Sequence, residues 1–291
     1  MADMPKGRWV RETLYEKEGF TCAFRADAVL HEEHTDEQHL VIFENELFGR
    51  MMALDGVTQV TERDEFIYHE MMTHVPILAH GRARRVLIIG GGDGGILREV
   101  LRHKDVEKAT MVEIDPAVTD FCRKHLPQIS AGAFDDPRLE LVFADGAKFV
   151  EDRDESYDVI IVDSTDPIGP GEVLFREEFY RAAKSCLTPG GVIVTQNGVP
   201  FMQGSELQST MEKFRRLFNV ATCYLATIPT YVGGPMAMGW GTDDETLAAL
   251  PSAELERRFA AADIATRYYT PDVHKAAFAL PRYVLEIVKP A

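Results

Sequence analysis

The chain has 291 residues, 45% of them hydrophobic and 27% charged. That is enough to bury a substantial core, in one large domain or in a large one plus a small one, with the composition of an ordinary soluble enzyme. Lys and Arg total 31 against 47 Asp and Glu, a formal net charge of -16, which argues against a nucleic-acid partner held through its phosphates. Such acidity is compatible with a cationic substrate and commonly does no more than keep a surface soluble. Cys22, Cys122, Cys186 and Cys223 are scattered with no C-x-x-C pair, so neither a zinc knuckle nor a disulfide framework is expected. The N-terminal MADMPKGRWV lacks the apolar core of a signal peptide, and no apolar run approaches the ~20 residues that span a bilayer. A cytoplasmic protein without a membrane partner is the expectation.

Residues 9 to about 62 read as β-structure, with Leu40, Ile42 and Leu47 followed by MMALDGVTQVT. There Asp55-Gly56 separates two strand-like runs as a hairpin turn does. A small N-terminal antiparallel β-sheet domain over 1-62 is expected, followed by a catalytic domain over 63-291. His31, His34 and His39 lie close together but lack a Cys or a second cluster, so exposed histidines are expected rather than a metal site. Thr61 and Asp64 resemble a helix start, with Ile67, Met71 and Val75 as the apolar stripe. That helix carries Tyr68, His69, Glu70 and His74. The two histidines are five apart and point about 140° apart on a regular helix, which rejects the H-E-x-x-H zinc motif.

Val86 to Ile89 form an all-apolar run of the kind a strand buried on both faces shows, broken by Gly90, Gly91 and Gly92. Ile96, Leu97, Val100 and Leu101 then recur at helical spacing, which places the glycines in a strand-to-helix turn open to close approach by a ligand. Gly90, Gly92 and Gly95 satisfy G-x-G-x-x-G, a weak match by itself. Asp93 argues against a phosphate there, because like unit charges about 4 Å apart repel by ~1 kcal/mol in water and ~4 kcal/mol at an effective dielectric of 20. A guest that is cationic at that point fits better. Otherwise Asp93 simply caps the following helix.

Beyond the turn, strands and helices alternate: ATMVEI, a helix from Pro116 to about Leu126, LELVFA, YDVIIV, a helix around Glu177 to Leu187, then GVIVTQ. This rhythm implies an α/β fold, a Rossmann-like doubly wound, mainly parallel sheet of the class I methyltransferase type. Gly90, Glu113, Asp145, Asp163 and Gln196 each follow an apolar run, and the carboxyl ends of such strands line the ligand crevice. Glu113, with Asp115 as the alternative, is placed to take ribose hydroxyls. Asp145 could accept from an adenine amino group while Gly146 lets the ring approach. Residues 163 to 171 form a Pro/Gly-punctuated loop with two carboxylates, either a cover for a site or a plain connection. From Ser205 a helix through Leu217, strand-like runs at 220-228 and 235-241, and terminal helices are expected. Tyr231, in a turn-rich stretch, reaches the crevice or only packs.

Taken together, DGVTQVTERDEFIYHEMMTHVP (55-76), GGGDGG (90-95), VEID (112-115), DSTDPIGPGE (163-172) and IPTYVGGPM (228-236) resemble the spermidine synthases, which are polyamine aminopropyltransferases. The likeness runs from about Trp9 to Pro281, with one departure: the family commonly has Gln-Asp where this chain has Gln38-His39. Neighbours on a strand face opposite ways, so the role of position 39 stays open while that of Gln38 does not change. The resemblance implies transfer of the aminopropyl group of decarboxylated S-adenosylmethionine, a co-substrate, to putrescine, with no prosthetic group and no metal. By analogy Gln38, Glu113, Asp145, Gly146 and Pro170 hold the nucleoside, and Asp93 and Asp163 face the donor's aminopropyl chain. Gln59, Tyr68, His69, Ser164, Thr165, Asp166, Gln196 and Tyr231 then surround the amine, with Asp163 as proton acceptor. A homodimer or homotetramer is implied as well.

The residue chemistry adds a selection rule. Ordinary S-adenosylmethionine carries a carboxylate that Asp93 would repel, whereas the decarboxylated donor ends in an ammonium. The acceptor amine, with a pKa near 10.4, needs roughly 4 to 5 kcal/mol to lose its proton at pH 7. Asp163 can serve as base only if closure of the 164-171 loop desolvates both groups. Three alternatives remain at this level: an N-methyltransferase acting on a small amine, an NAD-dependent oxidoreductase, and a non-catalytic polyamine sensor.

Overall fold

The computed structural model describes residues 7-34, 38-153, 155-165 and 169-289, with the backbone alone at 169 and 170. Its N-terminal part holds a two-stranded antiparallel ribbon, β1 (Arg8–Arg11) with β2 (Ala23–Ala26), and a four-stranded sheet. In that sheet β3 (Ala28–His34), β4 (His39–Asn45), β5 (Gly49–Leu54) and β6 (Val57–Thr61) follow one another as antiparallel neighbours. Leu54 pairs with Val57 across the expected hairpin, where Asp55 and Gly56 have φ of 51° and 80°. Positive φ at both central residues matches the right-handed twist of the flanking strands.

Helix α1 (Glu65–His80) leads into a seven-stranded sheet. Its elements are β7 (Arg85–Gly90), α2 (Gly95–Leu101), β8 (Lys108–Glu113), α3 (Pro116–His125), α4 (Pro127–Ser130), β9 (Leu139–Phe143) and α5 (Gly146–Glu151). They continue with β10 (Tyr157–Asp163), α6 (Glu177–Ser185), β11 (Leu187–Gln196), α7 (Pro200–Leu217), β12 (Val220–Ala226) and β13 (Met236–Thr242), before α8 (Ser252–Ala262), α9 (Pro271–Ala277) and α10 (Arg282–Ile287). The spatial order is β12-β13-β11-β10-β7-β8-β9, and β13 alone runs against its neighbours. This is the doubly wound, mainly parallel sheet read from the sequence.

The apolar run of β7 divides by alternation, as a strand covered on both faces must. Val86 and Ile88 enter a core with α1 and α2, while Leu87 and Ile89 enter another with α6 and α7. Leu40, Ile42, Met52 and Leu54 of the N-terminal sheet pack on Val118 and Cys122 of α3, which fixes that sheet over the carboxyl end of β8. The chain leaves β7 towards β8 and β9, then returns to β10 on the other side of β7. That reversal is the topological switch point, where open α/β sheets bind ligands.

Two local expectations change. Helix α1 is buried nearly all round, including Glu65, His69, Glu70, Thr73 and His74, rather than along one stripe. Its polar side chains find partners in distant segments; Glu70, for example, accepts from the backbone N–H groups of Arg267, Tyr268 and Tyr269. Helix α7 begins at Pro200, ahead of the expected Ser205, and is kinked at Gln203, whose side chain accepts from Val199 N at 2.9 Å. No helix among the described residues is long and apolar enough to cross a membrane.

Candidate active site at the β7–β10 switch point

Gly90 and Asp163 stand side by side at the ends of β7 and β10, and Gly91 N donates to Asp163 O at 3.2 Å. A crevice opens there, lined among others by Gln38, Gln59, Tyr68, His69, Asp93, Glu113, Asp145, Gly146, Asp163, Ser164, Thr165, Gln196 and Tyr231. Strand ends supply Glu113, Asp163 and Gln196 as expected, whereas β9 stops at Phe143 and Asp145 is the N-cap of α5.

On one side the crevice is built from β8 and β9. Glu113 is buried and accepts from Asp115 N at 3.0 Å. Burial, reinforced by the charges of Asp115 and Asp163, pushes its carboxyl up to about 7. Of the two acids left open by the sequence, Glu113 lines the crevice and Asp115 does not. Asp115 instead accepts from Ala117 N at 2.9 Å to cap α3, and from Gln38 Nε2 at 3.2 Å. Asp145 Oδ1 accepts from Ala147 N at 2.9 Å. A Cβ at Gly146 would meet Ile89 Cγ2 at 2.5 Å. The glycine therefore serves the close packing of α5 on the sheet, and it lines the crevice as well.

At the switch point Asp93 engages the first N–H of α2 and also lines the crevice. Its Oδ1 accepts from Gly95 N at 2.7 Å, and its Oδ2 lies 3.3 Å from His69 Nε2. The side chain is 11% exposed and faces the crevice rather than solvent. Burial pushes its carboxyl up, but the opposing charge and hydrogen bond of His69 bring it below the ordinary value. Across from it, the Tyr68 hydroxyl donates to Asp163 Oδ1 at 2.6 Å. Burial first, and the Asp93 charge second, push Asp163 up to about 6. Asp163 is thus partly withdrawn from water, the condition that the sequence set for its use as a base.

The far side is polar and aromatic. Tyr231 donates to the backbone oxygen of Gln59 and meets Tyr68 edge-on, with ring centroids 6.1 Å apart. Gln196 Nε2 donates to Ser164 O at 3.3 Å, and its Oε1 accepts from Gly198 N at 2.6 Å. Asp166 lies outside the described residues, as does the side chain of Pro170. His39 faces away from Gln38: it stacks on His34 at 4.0 Å and lies 3.3 Å from Glu32. His69 and His74 also part company, because His74 meets Glu99 at 3.0 Å and His103 at 2.9 Å. Among the described residues no group of three or more His, Cys, Asp or Glu side chains is arranged to hold a metal ion.

Residues 65–249 match the spermine/spermidine synthase domain, and residues 8–62 match the spermidine synthase tetramerisation domain. The chain belongs to the spermine/spermidine synthase family. A polyamine aminopropyltransferase of Ruegeria sp. (strain TM1040) is 59% identical over 284 residues, 98% of this chain and 99% of its own. Polyamine aminopropyltransferase 1 of Pseudomonas aeruginosa is 60% identical over 278 residues, 96% of each chain. Among solved structures, a spermidine synthase in complex with the transition state analogue AdoDATO superposes with a TM-score of 0.91 at 38% identity, covering 99% of this chain and 97% of its own. The spermidine synthase of Thermotoga maritima superposes with a TM-score of 0.88 at 36% identity, covering 99% and 96%.

The crevice of this family member also contains residues that motif reading passed over. Glu12 is buried and accepts from Leu14 N at 3.1 Å and Thr58 N at 2.8 Å. No Lys or Arg among the described residues forms an ion pair with it. Tyr15 donates to Gln203 Oε1 at 2.7 Å, and Ile114 and Leu174 add apolar wall. Only Glu12 carries a sequence signal, a lone acid beside a strand, and that signal is common to any surface.

Proposed function

We propose that the enzyme transfers the aminopropyl group of decarboxylated S-adenosylmethionine to putrescine, yielding spermidine and 5'-methylthioadenosine. One observation carries the proposal: two carboxylates, Asp93 and Asp163, meet at the switch point of the crevice, and no Lys or Arg is among its described lining residues to hold a phosphate. Gln38, Glu113, Asp145, Gly146 and Pro170 would hold the nucleoside. Asp93 and Asp163 would face the donor's cationic arm. Gln59, Tyr68, His69, Ser164, Thr165, Asp166, Gln196 and Tyr231 would enclose the amine, and Glu12 would meet its far ammonium.

In the chemical step the amine nitrogen attacks the carbon beside the sulfonium in line, the C–N bond forms, the C–S bond breaks, and the neutral thioether leaves. Positioning supplies much of the acceleration because the leaving group is already activated. Tyr68 occupies Oδ1 of Asp163, which leaves Oδ2 for the amine proton. Raising that carboxyl from an ordinary 3.8 to about 6 narrows its mismatch with the ammonium by about 3 kcal/mol. Residues 1-62 would form the assembly domain of a homodimer or homotetramer and 63-291 the catalytic one, a reading supported by the tetramerisation-domain match.

Incubation of the purified protein with putrescine and either the decarboxylated or the ordinary donor, with products weighed by mass spectrometry, tests the proposal. Spermidine and 5'-methylthioadenosine from the decarboxylated donor alone are expected. A methylated amine from the ordinary donor would overturn it.

A further inference from the structure

The His69 ring has a carboxylate at each nitrogen. Nδ1 lies 2.6 Å from Glu65 Oε2, and Nε2 lies 3.3 Å from Asp93 Oδ2. Neutral imidazole owns one N–H, so one of its nitrogens would set a lone pair against a carboxylate oxygen; only the doubly protonated ring satisfies both. The residue is 1% exposed, so water offers no alternative partner.

The seat behind the ring is built for that charge. Arg98 reaches both oxygens of Glu65, at 3.3 and 2.9 Å, and anchors on Ile129 O at 2.5 Å. Its Nε donates to Glu99 at 2.8 Å, and Glu99 in turn meets Arg102 at 2.6 Å and His74 at 3.0 Å. Signs therefore alternate from Asp93 through His69, Glu65 and Arg98 to Glu99, as buried charges require. Space is reserved too: a Cβ at Gly95 would lie 2.1 Å from His69 Cε1. The last glycine of G-x-G-x-x-G is kept open for the imidazole.

We propose that Glu65 and Arg98 are positioning residues of the reaction, holding His69 as an imidazolium that donates to Asp93, so that Asp93 stays ionised and Asp163 is the carboxylate free to take a proton. This rests on the proposed role of Asp163. With both N–H groups engaged, His69 has no acceptor to offer an ammonium, and it serves the amine through Asp93. The charged and titratable groups facing it are Glu65 and Tyr68 from α1, Asp93 from the turn, Arg98 from α2 and Asp163 from β10. Burial alone would lower its proton affinity, but Asp93 and Glu65 carry it up to about 10. Two carboxylates pushed apart in this way take separate roles.

The test uses full-length enzyme with 13C,15N-labelled histidine, the His69 signal being identified by its loss in His69→Gln. In the wild type both ring nitrogens are expected to stay protonated to above pH 9. In Glu65→Gln the ring is expected to titrate lower by about two pH units, with a matching new transition in the pH profile of kcat/KM that Glu65→Asp reverses in part. If Glu65→Gln fails to fold, Arg98→Gln is measured in its place; there the shift is expected upward, because a positive charge is lost and Glu65 keeps His69 as its counter-charge. A singly protonated His69 in the wild type at pH 7, or a titration unmoved in the folded variant, overturns the proposal. The imidazole signal is read without turnover, so failure of the Asp163 role, seen as an active Asp163→Asn enzyme, is separately visible.

Discussion

The Tyr68 hydroxyl donates a 2.6 Å hydrogen bond to Asp163 Oδ1, within the range of a charge-assisted O–H···O⁻ contact. The bond favours the ionised carboxylate and so opposes burial and the Asp93 charge, which together push it up to about 6. In Tyr68→Phe the acid limb of kcat against pH is expected to move above 6. The rate should fall roughly 10- to 100-fold, the size of a lost hydrogen bond to a charged group. A pH–rate profile that matches the wild type would remove Tyr68 from the orientation of Asp163.

Asp163→Asn keeps the shape of the side chain and removes its capacity to take a proton. A fall in kcat of roughly 10²- to 10⁴-fold is expected, the usual contribution of a general base. Affinity for 5'-methylthioadenosine, measured by calorimetry, should change little.

The parts of this site that one segment carries are legible in the sequence. Glu113, Asp163 and Gln196 each end an apolar run, and a parallel sheet converts that local pattern into a shared crevice. What joins distant segments is not legible. Tyr15 and Gln203 meet across 188 residues, and neither sits in a motif. Asp93 could be read as a cap or as a ligand group, and no spacing reveals that His69 on α1 takes its second oxygen. Gly146 was legible only in part: a glycine after a strand suits an approaching ring, and no motif shows that Ile89 packs against it as well. The amphipathic stripe of α1 understated its burial because its polar residues are satisfied by partners beyond any window of periodicity.

Asp93 is paired with His69, so part of its charge is already compensated when the donor binds. Discrimination against the carboxylated donor should therefore be smaller than the ~4 kcal/mol of an unscreened like-charge pair at an effective dielectric of 20. In Asp93→Asn the ratio of dissociation constants for ordinary and decarboxylated S-adenosylmethionine is expected to fall about tenfold, equal to ~1.4 kcal/mol. Calorimetric titration with both ligands measures the ratio, and an unchanged value would take Asp93 out of donor selection.

Glu113 is held at about 7 against an ordinary carboxyl of 4.5. A carboxyl raised on folding contributes stability that is present below 4.5 and lost as pH rises through 7. Glu113→Gln is thus expected to melt higher than the wild type at pH 8 and to lose that advantage by pH 5. Nucleoside affinity should show the reverse trade, because the ionised carboxylate is the better acceptor of ribose hydroxyls. It is expected to strengthen several-fold from pH 6 to 8 in the wild type and to stay flat in the variant. Melting curves and calorimetry at the three pH values check both signs.

Glu12 is a buried carboxylate whose oxygens are occupied by two backbone N–H groups and which forms no ion pair with Lys or Arg among the described residues. A buried charge left that way is costly unless a ligand supplies the counter-ion. The far ammonium of the proposed diamine has the right charge, and Glu12 lines the same crevice as Tyr231 and Gln59. Glutamine at position 12 keeps one of the two backbone contacts through its oxygen and removes the charge. Glu12→Gln is expected to raise KM for putrescine by roughly tenfold, with kcat at saturating amine changed much less, because the far ammonium is bound equally in ground and transition states. A monoamine of similar length has no far ammonium, so its weaker turnover should be insensitive to the substitution. Equal losses with the monoamine and the diamine would assign Glu12 to holding the Thr58 segment instead.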